Sequence, residues 1–572
     1  MTASVFFLFL LAACLLCTDT ADGLLLHGLA AAVTTSAILS LPTGFVPKRI
    51  RWLFQLLVFE PFVCVCLTDC YCQTFFLSPI TPQILSSIIL TNQRETAEFF
   101  SDFLTSSILH DWRLVSLLLL TVLFHACLLK REYLWRWNMQ ERKRWYATAL
   151  YALPVLCAIY EVRPAYHYAK TFCSSHDPMQ LEGLIFRHYH EEIPTPLHRA
   201  AFACYALSLS AQTLEGIKKV SFGAAIEHCT HLSPHITLII GESYNKHHSS
   251  LYGYGLPTTP RQHRRRDNGE LFVFNDVVSP WNITSNAFLN IFSLWECNST
   301  SSISSYPLFP ILFRRASYDV TFFSNQYQLR GFRKGATNQA GHFFLADTEL
   351  SDSLFTYRNS RSAVFDMRLV SDFSAYKRAH PLRPYTLDII HLVGQHFTYD
   401  KRYPRSESFF SSSNYAGRGL DREAREVVMH YDNATRYNDR VLDSLLTVCE
   451  EEESIVIFLS DHGEEVYDDT HVHGRLFREP TAADARNEYE IPMWIWCSDR
   501  YLSAHKDVVE QIKASVDKPF MTDGIPQLLL YLAGIRCQWE RQGANILSPS
   551  YHCKPRLICS GTDYDKLLAK PR

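Results

Sequence analysis

The sequence predicts an N-terminal membrane region of five helices followed by an α/β domain with a mainly parallel sheet between helices. Two observations lead to this fold class. The first 165 residues are apolar with clustered charges, whereas the later chain alternates strand-like and helix-like segments. The mean hydropathy of −0.07 is too high for a purely soluble chain of 572 residues. We expect a membrane domain over 1–165, a linker along the membrane over 166–232 and the α/β domain over 233–572.

Each predicted membrane helix spans, or nearly spans, a hydrocarbon core of about 30 Å at about 1.5 Å per residue. Clusters of Lys and Arg lie between the second and third segments and between the fourth and fifth. Both loops are therefore predicted to be cytoplasmic, and an odd number of spans places the α/β domain on the outer side. The five segments are 3–18, 23–43, 52–69, 112–130 and 146–162.

Two features of the membrane region leave alternatives open. Leu11-Ala-Ala-Cys14 resembles a lipoprotein processing site, so the first segment could be removed, although no Lys or Arg precedes it. Glu60 lies in the middle of the third segment, where a carboxylate is either functional or a residue near a kink that faces protein or water. Neither alternative changes the predicted topology of the later segments.

The α/β domain is predicted from strands that alternate with helical patterns, an order typical of a parallel sheet covered on both faces. The longest helical patterns cover 421–447 and 521–533. The strands are expected near 236–240, 271–278, 318–323, 386–391, 455–459 and 489–496.

Two of these strands end in residues that bind metals. Ile236 to Ile240 runs into Gly-Glu242, and Ile455 to Leu459 runs into Ser-Asp461-His462. Open α/β sheets keep their chemistry at the carboxyl ends of their strands. A mixed oxygen and nitrogen ligand set suits zinc, and one further ligand is needed.

A hydroxyl group would supply both the missing ligand and a nucleophile. Thr284 opens an apolar helical run, and helix N-termini bind phosphate through free backbone N–H groups. A phosphorylated Thr284 would therefore be well placed.

These motifs together resemble the bacterial phosphoethanolamine transferases, members of the sulfatase and alkaline-phosphatase superfamily, and closest to the branch that modifies lipopolysaccharide core sugars. The resemblance covers nearly the whole chain, and its motifs occur in the family's order. They are GESYNKHHSSLYGYGLPTTP, the Thr284 segment, HLVGQHFTYDKRYP, YDNATRYNDRVL, SDHGEEVYDDTHVHG and YEIPMWIW.

The resemblance implies a periplasmic sulfatase-like domain with one tight zinc site made by Glu242, Thr284, Asp461 and His462. It also implies two substrate-side histidines, His396 and His473. These would act as general acid and base or hold a second, weaker metal. His391 and His471 have less support, because a histidine at a strand end is more often structural.

Three further residues are implied to bind substrate. Arg330 lies where the family has a lysine and could hold phosphate bidentately, although most arginines are merely solvated. Thr91 and Glu95 lie one turn apart on a predicted outer amphipathic helix, 83–104, and by resemblance contact the head group of the lipid donor. A solvated helical face explains that pair equally well. The family's preceding Asn is replaced by Ser87.

The function implied is transfer of phosphoethanolamine from phosphatidylethanolamine to a periplasmic acceptor, such as lipopolysaccharide core sugar or lipid A, by way of a zinc-activated, phosphorylated threonine. The protein would be a multi-pass enzyme of the bacterial inner membrane. The alternatives are a phosphoglycerol transferase, a metal-dependent phosphatase, or an inactive membrane scaffold, which would be expected to have a broken ligand set. A net charge of −3 gives no electrostatic argument for nucleic acid as a partner.

Two other patterns support weaker expectations. The sequence has 17 cysteines, and Cys537, Cys553 and Cys559 are candidates for disulfides if the domain is exported. The basic run 261–266 is expected in a loop, either solvated or facing acidic lipid head groups.

Overall fold

The structure is a computed structural model. It describes residues 1–18, 25–75, 79–82, 84–85, 111–129, 144–174, 194–326, 343–359, 363–381, 383–476, 479–559 and 561–569. The predicted amphipathic helix 83–104 lies almost entirely outside these ranges.

The chain divides into two compact units. The first comprises Met1–Ile89, Gln93–Ala211 and Leu476–Glu479, and the second Leu90–Asn92, Gln212–Arg475 and Pro480–Arg572. The predicted boundaries of 1–165, 166–232 and 233–572 stay predictions. The helices of the first unit are α1 (Ala3–Cys17), α2 (Leu25–Ser40), α3 (Arg51–Phe75), α4 (Trp112–Leu129), α5 (Arg144–Ser174) and most of α6 (Pro196–Gly223).

Helices lie on all of the predicted apolar segments. Within the described ranges, three helical stretches are long and apolar enough to cross a membrane, namely Leu25–Gly44, Arg51–Thr74 and Trp112–Leu129. α1 is apolar but shorter, and α5 contains two prolines, Pro154 and Pro164. The predicted five-span topology therefore remains a proposal.

The first unit buries aromatic rings and contains ion pairs between its helices. Phe59 of α3 stacks on Phe124 of α4, with ring centroids 3.7 Å apart. Glu60 of α3 lies with its carboxylate 3.1 Å from Nε2 of His125, so the carboxylate singled out in the sequence has a polar partner on α4. This contact supports a structural role for Glu60, since it joins α3 to α4.

The second unit contains a seven-stranded sheet in the order β3-β11-β8-β2-β7-β5-β6. Six of its strands run parallel, and β11 is antiparallel to both of its neighbours. The sheet strands are β2 (His235–Gly241), β3 (Leu271–Phe274), β5 (Asp319–Ser324), β6 (Tyr357–Arg358), β7 (Thr386–His391), β8 (Ser454–Ser460) and β11 (Met493–Cys497). Short ladders pair β1 (His228–Cys229) with β13 (Ile535–Arg536), β4 (Val277–Val278) with β12 (Phe520–Met521), β9 (Glu465–Val466) with β10 (His473–Gly474), and β14 (Leu557–Ile558) with β15 (Thr562–Asp563).

Helices cover both faces of this sheet. On one face, residues of α12 and α13 pack with Ile239, Phe323, Val456 and other sheet residues in one buried cluster. On the other face, Phe292 of α8 contacts Phe322 of β5, with ring centroids 6.4 Å apart. The helices are α7 (Pro260–Asp267), α8 (Thr284–Phe292), α9 (Phe309–Arg315), α10 (Phe343–Ala346), α11 (Thr348–Leu354), α12 (Asp366–Ala379), α13 (Arg422–Cys449), α14 (Ala482–Asp484), α15 (Asp499–Ala504), α16 (Lys506–Lys513), α17 (Ile525–Ala533) and α18 (Tyr564–Ala569).

The loop that follows β2 is anchored by a buried histidine. Nδ1 of His248 lies 2.6 Å from Oδ1 of Asp432 on α13, and Nε2 lies 3.0 Å from Oδ2 of Asp468. The hydroxyls of Tyr254 and Tyr415 donate to the second oxygen of Asp432. This network fixes the chain just after Glu242, and so it positions the strand end on which the site is built.

The His248 network makes stability depend on pH. Burial lowers the pKa of His248, but Asp468 and Asp432 raise it more, to about 10. Because the pKa of His248 in the folded protein lies above its ordinary value near 6.5, protonated His248 contributes its full stabilisation below about pH 6.5. This stabilisation is lost as the pH rises through about 10. We expect the thermal midpoint of the full chain in detergent to fall over this range, and Asp468→Asn to move the fall to lower pH.

A matched control for this prediction is His471→Gln, because His471 is an exposed histidine of the same region. Its stability profile should follow that of the wild type. A profile of Asp468→Asn that is parallel to wild type from pH 6.5 to 10 would contradict the assignment of the fall to His248.

Candidate active site

The metal-type residues of two distant sequence motifs meet because their strands are parallel neighbours. In the register of β2 with β8, Gly241 pairs with Ser460, so Glu242 and Asp461 leave the sheet side by side. His462 follows Asp461, and all three side chains are fully buried. Thr284, the first residue of α8, brings its hydroxyl to the same point.

The four predicted ligands lie together, and His462 is in contact with each of the other three. Nε2 of His462 lies 3.3 Å from Oε1 of Glu242 and 3.2 Å from Oδ2 of Asp461. The Thr284 hydroxyl donates to the Glu242 carboxylate, whose oxygens lie 3.1 and 3.2 Å away, and its oxygen is 3.2 Å from Nε2 of His462. The structure therefore assembles the predicted cluster.

The orientation of these groups fits a bound cation. Nδ1–H of His462 donates to the carbonyl of Gly463 at 2.7 Å, so Nε2 directs its lone pair into the cluster. Oδ1 of Asp461 accepts from the backbone N–H groups of Ser243 and His462. Oδ2 of Asp461 is buried and makes no hydrogen bond within the part of the chain that the structure describes. Its partner is best supplied by a metal ion such as zinc.

The electrostatics of the two carboxylates lead to the same interpretation. Burial and the charge of Glu242 raise the pKa of Asp461 well above its ordinary value. Burial also acts to raise the pKa of Glu242, but the neighbouring imidazoles of His391 and His462 lower it more, to well below its ordinary value. Two adjacent buried carboxylates are both ionised only when a positive charge lies between them.

The Glu242 carboxylate is contacted by residues that the sequence motifs did not predict, or predicted with little support, as parts of the site. Nε2 of Gln326 donates to Oε2 of Glu242 at 2.8 Å, and the hydroxyl of Ser243 donates to Oε1 at 2.9 Å. His391, the last residue of β7, has Nε2 3.9 Å from Oε2 of Glu242. Gln326 follows the end of β5 by two residues, so the rule that found Glu242 and Asp461 would also have indicated it.

A glycine brings the loop after β7 against the site. Gly394 has a φ of +48°, and a Cβ at this position would lie 2.9 Å from the carbonyl oxygen of Glu242. The hydrogen bonds from the N–H groups of Val393 and Gly394 to Asp366 fix this turn. The turn delivers His396 toward the cluster.

The two predicted substrate-side histidines are electrically neutral at neutral pH. Burial lowers the pKa of His396 to about 4, although the charge of Glu242 partly opposes this shift. Burial likewise lowers the pKa of His473, in β10, to about 4. Nδ1 of His473 lies 3.2 Å from the hydroxyl of Tyr467. Neutral imidazoles are able to accept a proton, as a general base must.

Arg475 enters the cluster from the segment after β10. Its Nη1 group donates to Nε2 of His462 at 3.0 Å, and its Nε lies 3.6 Å from Oε2 of Glu464. Arg475 was not among the residues predicted from the sequence motifs.

Thr91, Glu95 and Arg330 lie outside the described residues, so their predicted contacts with substrate stay predictions. Within the described part of the chain, the disulfide candidates Cys537, Cys553 and Cys559 form no disulfide with one another.

Residues 234–529, more than half of the chain, match the family model described as Sulfatase. The chain belongs to the sulfatase family. The resemblance to phosphoethanolamine transferases is confirmed as well. The chain is 27% identical over 338 residues to phosphoethanolamine transferase EptC of Escherichia coli K12, which covers 58% of this chain and 56% of that protein. It is 28% identical over 318 residues to phosphoethanolamine transferase EptA of Helicobacter pylori, covering 54% and 55%.

This sulfatase-family chain thus matches just over half the length of its curated relatives. Solved structures with a similar fold include the following two. The C-terminal periplasmic domain of EptC from Escherichia coli superposes with a TM-score of 0.50 at 24% identity, over 60% of this chain and 93% of that one. The integral membrane lipooligosaccharide phosphoethanolamine transferase EptA from Neisseria meningitidis gives 0.61 at 17% identity, over 96% and 98%. The second likeness extends over the N-terminal helices as well as the α/β unit.

Proposed function

We propose that this protein transfers phosphoethanolamine from phosphatidylethanolamine to a periplasmic acceptor, a lipopolysaccharide core sugar or lipid A, through a phosphorylated Thr284. The observation that carries the proposal is the hydroxyl of Thr284, held between Glu242 and His462 at the N-terminus of α8. The named phosphoethanolamine transferases among its relatives support the choice of transferred group. The protein is proposed to be a multi-pass enzyme of the inner membrane whose domain 233–572 faces the periplasm.

The first half-reaction forms a bond between Oγ1 of Thr284 and the phosphorus, and breaks the bond from phosphorus to the diacylglycerol oxygen. The proton of Thr284 leaves along its hydrogen bond to Glu242. That proton then passes from Glu242 through a neutral histidine, His396 or His473, to the departing diacylglycerol oxygen, so atoms and charge balance. A zinc ion held by Glu242, Asp461 and His462 would supply a Lewis acid that lowers the pKa of the Thr284 hydroxyl.

The second half-reaction returns Thr284 to its free form. A hydroxyl of the acceptor loses its proton to a neutral histidine and attacks the phosphorus, and Oγ1 of Thr284 takes the proton back as it leaves. The backbone N–H groups at the start of α8 lie beside the phosphorylated residue and would stabilise its charge. Thr91 and Glu95 are proposed to contact the donor head group, and Arg330 its phosphate.

The test uses the full chain in detergent with fluorescent phosphatidylethanolamine, followed by mass analysis of the Thr284 peptide. We expect diacylglycerol release and a phosphoethanolamine adduct on Thr284, which disappears when lipopolysaccharide is added. Turnover of phosphatidylglycerol alone would indicate a phosphoglycerol transferase, and release of free head-group phosphate without an adduct would indicate a phosphatase. Turnover of neither lipid, with no bound metal, would favour a scaffold.

A further inference from the structure

We propose that Arg475 binds the phosphoryl oxygens of the substrate, a role that rests on the proposed function of the same site. Its guanidinium reaches the cluster directly, with Nη1 3.0 Å from Nε2 of His462. The side chain of Arg475 is only 17% exposed, so its guanidinium lies mostly buried beside the cluster rather than in solvent. Planar guanidinium groups bind phosphate oxygens through two parallel N–H bonds.

A buried carboxylate orients this arginine. Oε1 of Glu464 accepts from the hydroxyl of Tyr399 at 2.8 Å. Oε2 of Glu464 is buried and has no hydrogen bond within the described ranges, but it lies 3.6 Å from Nε of Arg475. With Nε paired to Glu464, Nη1 of the same guanidinium reaches Nε2 of His462 in the cluster.

The contact of Arg475 with His462 is one that a metal ion would replace. Nε2 of His462 has a single lone pair, since its Nδ1 carries the proton that is donated to Gly463. That lone pair serves either the arginine or a metal. A metal ion held by that lone pair would release Nη1 while Nε stays near Glu464, and the released N–H groups would then be available to a phosphoryl group at Thr284.

The charges of Arg475 and of a bound metal ion also favour binding of a phosphate group between them. A guanidinium beside a bound dication is repelled by it, and this repulsion weakens metal binding. An anion bound between the two removes the repulsion, and the phosphodiester of the donor or the phosphate on Thr284 supplies that anion. Arg475 should therefore oppose metal binding in the absence of substrate and favour phosphate binding once metal is present.

The experiment compares Arg475→Met and Arg475→Lys with wild type, using the full chain in detergent. Zinc affinity is measured by competition with a chromophoric chelator, and the affinity of the zinc-loaded protein for inorganic phosphate by calorimetry. We expect Arg475→Met to bind zinc at least as tightly as wild type and phosphate about tenfold more weakly. Arg475→Lys should recover part of the phosphate affinity. The control is Arg422→Met, because Arg422 is a surface arginine that is 89% exposed.

The two readouts separate this role from a structural one. A loss of zinc affinity, phosphate affinity and thermal stability together in Arg475→Met would overturn the inference, as would phosphate affinity within twofold of wild type. Because inorganic phosphate is the probe, failure of the wild type to use phosphatidylethanolamine would overturn the proposed donor and leave this result standing. A wild type that binds neither zinc nor phosphate would overturn both.

Discussion

Thr284→Ala should abolish transfer, with a loss of at least about 1,000-fold in diacylglycerol release, because it removes the atom that forms the covalent intermediate. The Thr284 hydroxyl is the group that contacts both Glu242 and His462 from α8. The substitution removes one hydroxyl and leaves the three charged or imidazole ligands in place, so bound zinc should be retained. The phosphoethanolamine adduct should vanish from the peptide that contains residue 284.

Ser285→Ala is the matched control for this variant. Ser285 is the next residue of α8 and is similarly half-buried. Its loss should leave diacylglycerol release within a few-fold of wild type, while Thr284→Ser should retain measurable activity because it keeps a hydroxyl. An adduct that persists in Thr284→Ala and is lost in Ser285→Ala would show that the nucleophile is the neighbouring serine.

The sequence located most of the site because strand ends are a local signal with a fixed spatial consequence. Two apolar runs that end in Glu242 and in Asp461-His462 need only be parallel neighbours for their ligands to meet, and β2 and β8 are. The predicted strands and the helices 421–447 and 521–533 correspond to observed elements within a few residues. These elements could be predicted because the spacing of apolar residues along a strand or helix follows from which of its faces is buried.

Features that depend on partners from elsewhere in the chain were missed. The direction of β11 follows from the path of the connection, not from the composition of the strand. The basic run 261–266 was expected in a loop, but it forms α7, and three of its four arginines pair with acidic residues in α13 or directly after it. Arg265, for example, contacts both Asp443 and Glu450. These ion pairs hold α7 against the helix and argue against a role for the run at lipid head groups.

Arg475 illustrates the same limit at the site itself. An arginine in a short segment after a hairpin is by default a solvated residue, and no periodicity marks it. Its importance comes from Glu464 and His462, which belong to the preceding motif but face it only after β9 and β10 have paired. The protonation states of His396 and His473 are likewise products of burial and have no signature in the sequence.

Asp461→Asn should separate metal binding from folding. The amide keeps an acceptor oxygen for the N–H groups of Ser243 and His462, so the local backbone should be preserved. It lacks the charge that Oδ2 offers to a cation, and we expect zinc affinity to fall by at least about 100-fold, with activity falling in parallel. In the presence of a chelator the variant should be at least as stable as wild type, because the burial and the Glu242 charge that raise the pKa of Asp461 make that carboxylate costly when no metal is bound.

Asp432→Asn is the matched control, and we expect it to affect thermal stability rather than zinc affinity. Asp432 is equally buried, but its partner is the protonated His248. Its loss should lower the thermal midpoint and leave zinc affinity nearly unchanged, because His248 is not among the ligands. If Asp461→Asn bound zinc as tightly as wild type, the cluster of Glu242, Asp461 and His462 would not be the metal site. Opposite effects of two buried Asp→Asn changes would instead assign one carboxylate to the metal and the other to the fold, since a carboxylate that binds a cation stabilises the protein only when that cation is present.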